Sequence, residues 1–384
     1  MKVLIYTAIR INAKKSLGVV NKVKSQAKAL HTGTNKTFYG VFNANRYQII
    51  DSENACVVAN IDAANRVTGR INQAKYTYDW CMENQIDLVY IRLSYFDRLT
   101  YRFAKKLHRH GVKVVLEIPT YPFAEEKSFF VKKALQDKKL IDYVCKKALI
   151  AQENNHLKKS KRVLDLIVTY NPTGDLFGVK TLCIDNGVDA GSIPLKKQPD
   201  NGKKIIFIIV ASLSRWHGAD RVIEGLNRCR EYKGFIPNFW IVGEGVESDN
   251  LKALVKEYGL DEYVTFWGAK TGDELKSIID GADIGIASLG MHRLGLDVAS
   301  TLKVKEYCAY GLPFIYAYTE KAIDGNCEFA LRCVSDDTPI DMERAIEFAL
   351  CVKSRSDIPL KMRSLAEEQY DWSKIMQGVV DSLW

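Results

Sequence analysis

The sequence predicts an α/β protein built as two doubly wound domains, each a parallel sheet wrapped by helices. Three observations lead there. Short apolar strands alternate with amphipathic helices along most of the chain, and that alternation calls for parallel strands joined by right-handed crossovers. The alternation comes in two series, parted by a polar stretch from Asp185 to Lys203 rich in Asn-Gly, Gly and Pro. The length of 384 residues allows two to three domains at roughly 150 residues each.

The first series opens with KVLIYTAI from Lys2. A loop with Lys14, Lys15, Ser16 and Gly18 follows, then a helix with Val20, Val23, Ala27 and Leu30 on one face. QIIDSE, CVVAN, LVYIRL, KVVLEI, LIVTY and TLCI read as further strands. Helices such as LTYRFAKKLHRHG, closed by the stop signal Gly111, lie between them. The second series runs KIIFIIVASL, NFWIVG, YVTFWG, ADIGIAS and LPFIYAY, with helices between, and the segment from about Leu365 reads as helical. The expected domains are 1–187 and 188–364, followed by a terminal helix over 365–384. Open α/β domains bind ligands outside the carboxyl ends of their strands, so a cleft between two of them is the expected site.

Composition narrows the class. Apolar residues make up 47% and charged residues 26%, as in ordinary soluble globular proteins. The net charge of +9 suits an anionic small molecule, an anionic membrane surface or nucleic acid. Nucleic-acid modules leave no mark, and the basic residues are dispersed. Nine scattered cysteines without a Cys-x-x-Cys pair suit a reducing cytosol and no zinc site. With no signal-peptide pattern and no apolar run of spanning length, a soluble cytoplasmic protein is expected. Walker, nucleophile-elbow and Asp-x-Asp patterns do not occur, so no metal and no cofactor are expected.

Two segments carry chemistry. In STLKVKEYCAYGLPFIY, Ser300 or Thr301 caps a helix whose first turn holds Lys303 and Lys305, where the helix dipole disfavours cations. A helix start already attracts phosphate, and a lysine there adds charge. Glu306, three residues on, lies on the same face and could hold a pair of hydroxyls. In VASLSRWHGADRVIEGL a strand ends at Arg215, Trp216 and His217, and a helix starts after Gly218; this too is an anion-site pattern. Gly243-Glu244-Gly245 lacks a third glycine and reads as a structural turn. His108-Arg109-His110 reads as a solvent-facing helix end.

These residues resemble the GT-B glycosyltransferases, in particular the family 4 type of bacterial surface-polysaccharide enzymes. Asn186-Gly187-Val188-Asp189 is similar to the family's entry to its donor domain, and SLSRWHGADRVIEGL to its diphosphate-holding loop. IVGEGVESDNLKALVKEYGLDEYVTFWG is similar to its next unit, and LKVKEYCAYGLPFI to its Glu-x-x-x-x-Gly-x-Pro helix and strand. GVVNKVKSQAKAL and EIPTYPF look like segments of capsule-type members, and Trp372 like the aromatic that opens their terminal helix. The resemblance implies two facing Rossmann-like domains, with the C-terminal helix crossing back to the first. It also implies transfer of a sugar from a nucleotide-diphosphate donor to a saccharide or lipid-diphosphate-linked saccharide, retaining and metal-independent, at the inner face of the membrane.

Arg215, Lys303 and His292 are then the expected catalytic groups. Gly18, Ser214, Trp216, His217, Gly268, Arg293, Ser300, Thr301, Leu302 and Glu306 are the expected donor contacts. Lys15, Glu117 and Tyr121 are the acceptor-side candidates, with Glu117 the carboxylate to watch if a protein base exists. The family carries a second Glu, eight positions before Glu306, where this chain has Val298; His292, Arg293 and Asp297 could replace it. Peripheral contact with an anionic membrane is expected from the lysine-rich segment Lys127 to Lys161. Two rival readings are a nucleotide-sugar epimerase of the same fold and a non-enzymatic sugar-binding protein.

Overall fold

In the computed structural model the described residues are 1–11, 17–31, 33–62, 66–119, 121, 131, 135, 140–170, 174–320, 323 and 327–384. They form two units, Met1–Asp185 with Trp372–Trp384, and Asn186–Asp371.

The first unit is an eight-stranded sheet in the order β4-β3-β2-β1-β5-β6-β7-β8. Its strands are β1 (Lys2–Arg10), β2 (Lys36–Asn43), β3 (Arg46–Asp51), β4 (Val57–Asp62), β5 (Leu88–Arg92), β6 (Lys113–Ile118), β7 (Leu166–Thr169) and β8 (Thr181–Cys183). Alternate residues of β1 serve two cores. Val3 and Ile5 pack with Val23, Ala27 and Leu30 of α1 (Leu17–Leu30). Leu4 and Tyr6 pack on the other face with Trp80 of α2 (Arg66–Glu83) and with Phe103 and Leu107 of α3 (Arg98–Arg109). A fourth helix, α4 (Leu140–Leu157), follows β6.

Two expectations are corrected here. KTFYGVFN is a strand, β2, that the hydropathy pattern did not single out. QIIDSE and CVVAN are not parallel strands: β2, β3 and β4 form an antiparallel meander. The segments between them are far too short for a crossover helix, which needs a dozen or more residues. Ala44 and Ala55, both at positive φ, stand in the two turns.

The second unit holds six parallel strands in the order β11-β10-β9-β12-β13-β14. They are β9 (Lys204–Val210), β10 (Ile236–Val242), β11 (Val264–Gly268), β12 (Ile284–Ile286), β13 (Phe314–Tyr316) and β14 (Ala330–Arg332). The helices are α5 (Ala219–Arg228), α6 (Ser248–Glu257), α7 (Gly272–Asp280), α8 (Leu302–Tyr310), α9 (Met342–Lys353) and α10 (Ile358–Leu365). After α10 the chain runs beside its own entry: the Val188 amide donates to the Tyr370 carbonyl at 2.7 Å. Tyr370 is buried in the second unit's core. Trp372 opens α11 (Trp372–Asp381) and, with Met376 and Val379, is buried in the first unit's core beside α1.

Candidate functional site

Strand order reverses between β9 and β12, and ligands of open α/β sheets bind at such reversals. The loop after β9 holds Ser214 to His217 and the loop after β12 holds Gly290 to Leu294. They are sewn together by backbone bonds, Leu289 N to His217 O and Gly290 N to Trp216 O, both 3.1 Å. The seam demands glycine at 218: φ is +66°, and a Cβ would stand 2.7 Å from that of Leu289.

Within this seam the Ser214 amide donates to His217 Nδ1 at 3.2 Å. An accepting Nδ1 leaves the proton on Nε2. Burial first, then the charge of Lys303, pushes the imidazole down to about 2. His217 is therefore a neutral Nε2–H donor at any physiological pH. Arg215 and Trp216 are exposed.

Arg293 braces the loop. Its Nη1 donates to the Arg215 carbonyl at 2.7 Å. Two further bonds, 3.0 and 2.7 Å, make a bidentate pair with Asp220, and Nε reaches Asp337 at 2.6 Å. His292 Nε2 meets the same Asp337 oxygen at 3.0 Å. Both residues thus face carboxylates of the protein. Val298 instead pairs with Thr319 in a single parallel bridge.

The start of α8 is the most telling feature. The Ser300 hydroxyl accepts from the Asn186 amide at 3.2 Å, and the Asn186 side chain donates to the Ser300 carbonyl at 2.6 Å. The Thr301 hydroxyl meets Tyr318 at 2.6 Å. With these hydroxyls turned to other partners, α8 has no side-chain cap, and its first amides have no acceptor within the helix. Burial pushes Lys303 down to about 7, with Glu306 opposing. Burial likewise pushes Glu306 up to about 6 against the pull of Lys303. By surface area, however, Glu306 is exposed and Lys303 half-buried, so both side chains meet solvent. Among the described residues neither side chain takes an ion-pair partner.

Lys305, in the same first turn, does not share this opening. It is fully buried, bonded to Glu320 at 2.6 Å and stacked on Tyr370, 4.5 Å from the ring centroid. Gly268 ends β11, an edge strand, and its carbonyl accepts from Gly243 at 2.8 Å. Gly243 and Gly245 abut the backbone of Ala211 and Leu213 so closely that a side chain would overlap it.

In the first unit, α1 begins at Leu17, so Gly18 is an exposed helical residue and not part of a loop. Lys15 lies outside the described residues. The Tyr121 ring packs edge-on to Phe177. Glu117 does not suit a base. Oε1 accepts from Lys22 and Arg92 at 3.2 and 2.8 Å, and Oε2 from Gln26 and Tyr90 at 3.2 and 2.8 Å, which fills a carboxylate's capacity. Burial would raise its pKa, but Lys22 and Arg92 outweigh that and hold it far below the usual range. Lys22 and Arg92 went unnoticed in the sequence. Among the described residues no group of three His, Cys, Asp or Glu side chains could hold a metal.

Residues 194–347 match the family described as Glycosyl transferases group 1. Anabaena HepE, solved in complex with UDP, superposes with a TM-score of 0.63 at 14% identity, covering 100% of this chain and 99% of that one. Sucrose-phosphate synthase from Thermosynechococcus elongatus gives 0.66 at 12%, covering 99% and 98%. The lipopolysaccharide outer core galactosyltransferase WaaB, in its apo form, gives 0.57 at 12%, covering 100% of both chains. No curated protein sequence matches the chain. The family match lies within the second unit, and the likeness of the whole chain to these solved structures is one of fold.

Proposed function

We propose that the chain transfers a sugar from a nucleoside-diphosphate donor to a saccharide or lipid-linked saccharide. One observation carries this reading: Lys303, desolvated and without a partner among the described residues, at the uncapped start of α8 beside the neutral donor His217. Free helix amides, a lysine and an Nε2–H together fit a diphosphate. As the bond to the sugar breaks, charge grows on the leaving diphosphate, and groups already aimed there stabilise the transition state more than the ground state. Arg215 adds exposed positive charge, Arg293 holds its loop, and Glu306 accepts from the ribose hydroxyls. Retention of anomeric configuration follows from the family resemblance, and surface polysaccharide is the product class it suggests.

The test is a panel of nucleotide sugars, scored by protection against thermal unfolding and by slow hydrolysis. Protection by one donor, with free sugar and nucleoside diphosphate appearing, supports transfer. A new sugar that stays nucleotide-bound would mean epimerisation, and no protection by any member would overturn the reading.

Peripheral membrane contact is part of the proposal. No helix of the described residues is long and apolar enough to cross a membrane. Helix α4 exposes Leu140, Ile141 and Val144 close to Lys146 and Lys147, the composition of an interfacial surface. Lys132, Lys133, Lys138 and Lys139 lie outside the described residues. Sedimentation with anionic vesicles should be salt-sensitive; binding neutral vesicles equally well, or no binding at low salt, would contradict it.

A further inference from the structure

The first unit has its own strand reversal, between β1 and β5. Arg92 ends β5 there, in register with Thr7 of β1. Its Nε donates to Glu117 at 2.8 Å, while among the described residues its two Nη groups donate to no protein acceptor. The side chain keeps 14% of its surface exposed, so part of it still meets solvent. A guanidinium anchored through Nε with both Nη groups open is a fork already set for an oxyanion.

The groups around it hold the fork in place. Glu117 is a single carboxylate shared by two cations, Arg92 and the buried Lys22. Lys22 is fixed by a hydrogen bond to Tyr170, with its ammonium 4.0 Å from that ring's centroid. Burial lowers Lys22 to about 8, with Glu117 restoring only part. Of the two cations on Glu117, the one that reaches outward to solvent is Arg92. Strands β5 and β6, helix α1 and Tyr170, just after β7, all contribute to holding it.

We propose that Arg92 is the clamp of a second subsite, which takes an oxyanion, phosphate or carboxylate, carried by the sugar acceptor. This rests on the transferase reading and adds a substrate class to it: the acceptor is anionic. Gln26, Tyr90 and Lys22 act as positioning residues by fixing Glu117, which in turn fixes the fork.

The experiment uses the full chain with UDP saturating, so that the proposed donor site is filled. Glucose 1-phosphate, glucuronate and neutral methyl glucoside are titrated by ligand-observed NMR. The two anionic probes should bind at least roughly tenfold better than methyl glucoside, the scale of one charge-assisted pair. Arg92→Gln should erase that preference and leave UDP affinity unchanged. Arg92→Lys, which keeps a charge for Glu117 but loses the fork, should lose most of it. Tyr90→Phe removes one of the bonds that fix Glu117 and keeps the guanidinium, so it should weaken the preference far less than Arg92→Gln does.

Preference for glucose 1-phosphate alone would name a phosphate, and equal preference for both anions a carboxylate or phosphate. Equal binding of all three probes to the wild type would overturn the proposal. So would a loss in Tyr90→Phe as large as in Arg92→Gln. Should Arg92→Gln fail to fold, Arg92→Lys decides: wild-type preference there contradicts the fork. Failure of UDP to bind the wild type counts against the donor reading instead, and the three-probe comparison is then read without it.

Discussion

At the β9/β12 reversal Lys303 and Glu306 feel each other's charge yet take no ion-pair partner among the described residues. At the β1/β5 reversal Glu117 is bound by Lys22 and Arg92 at 3.2 and 2.8 Å. Both places hold desolvated cations at the carboxyl ends of a sheet. The second unit leaves its lysine and carboxylate open, each shifted toward its neutral form. The first locks its carboxylate and drives it further toward the charged form. A desolvated charge without a partner adds nothing to stability and awaits a ligand. A bonded buried charge is costly to break.

The largest effect expected from that contrast is on folding. Glu117→Gln would leave Lys22 and Arg92 facing each other, and breaking a buried pair costs about 3–5 kcal/mol. Urea unfolding should show the loss. A variant as stable as the wild type would mean that the network contributes little.

Next comes turnover. Lys303→Ala should lower kcat by roughly 10²–10³-fold, the scale of one lost electrostatic donor, with donor affinity falling less. Steady-state kinetics with the donor found in the panel measures both. An effect confined to KM would move Lys303 from transition-state stabilisation to simple binding.

Smaller is the pH dependence of donor binding, measured with UDP-glucose, whose diphosphate does not titrate near neutrality. Lys303, at about 7 without ligand, must be protonated to meet an anion, so affinity should fall above pH 7. Glu306, at about 6, must be ionised to accept from hydroxyls, so affinity should also fall below pH 6. Each limb is up to about tenfold per pH unit, and Lys303→Ala should abolish the alkaline one. A flat profile would contradict the desolvation of both groups.

Smallest is the effect of Lys303→Met on the ligand-free protein. Removing an unpaired desolvated charge should leave stability unchanged or raise it by up to about 1 kcal/mol. A marked loss would show that Lys303 is a structural residue like Lys22.

The two regions also differ in how visible they are in the sequence. Arg215 to His217 and Lys303 to Glu306 follow apolar strands at helix starts, where charge has a local reason to stand out. Ser300 and Thr301 look like ordinary caps; only the fold shows Asn186 and Tyr318 holding their hydroxyls. Lys22 hides inside the apolar stripe of α1, and Arg92 reads as the polar end of a strand. Their meeting at Glu117 joins residues 95 and 25 positions away from it, which local pattern cannot show. Strand β2 was missed because polar residues and Gly40 interrupt it. The antiparallel pairing of β3 and β4 was legible: too few residues separate QIIDSE from CVVAN for any crossover.

The central claim is that the start of α8, at Lys303 and Glu306, holds the nucleotide. Calorimetric titration of UDP into the wild type and Glu306→Gln tests it most directly. Charge-assisted hydrogen bonds of about 1.5–3 kcal/mol predict roughly ten- to a hundredfold weaker binding in a variant whose melting temperature is unchanged. Equal affinity in the folded variant would contradict the assignment of the site.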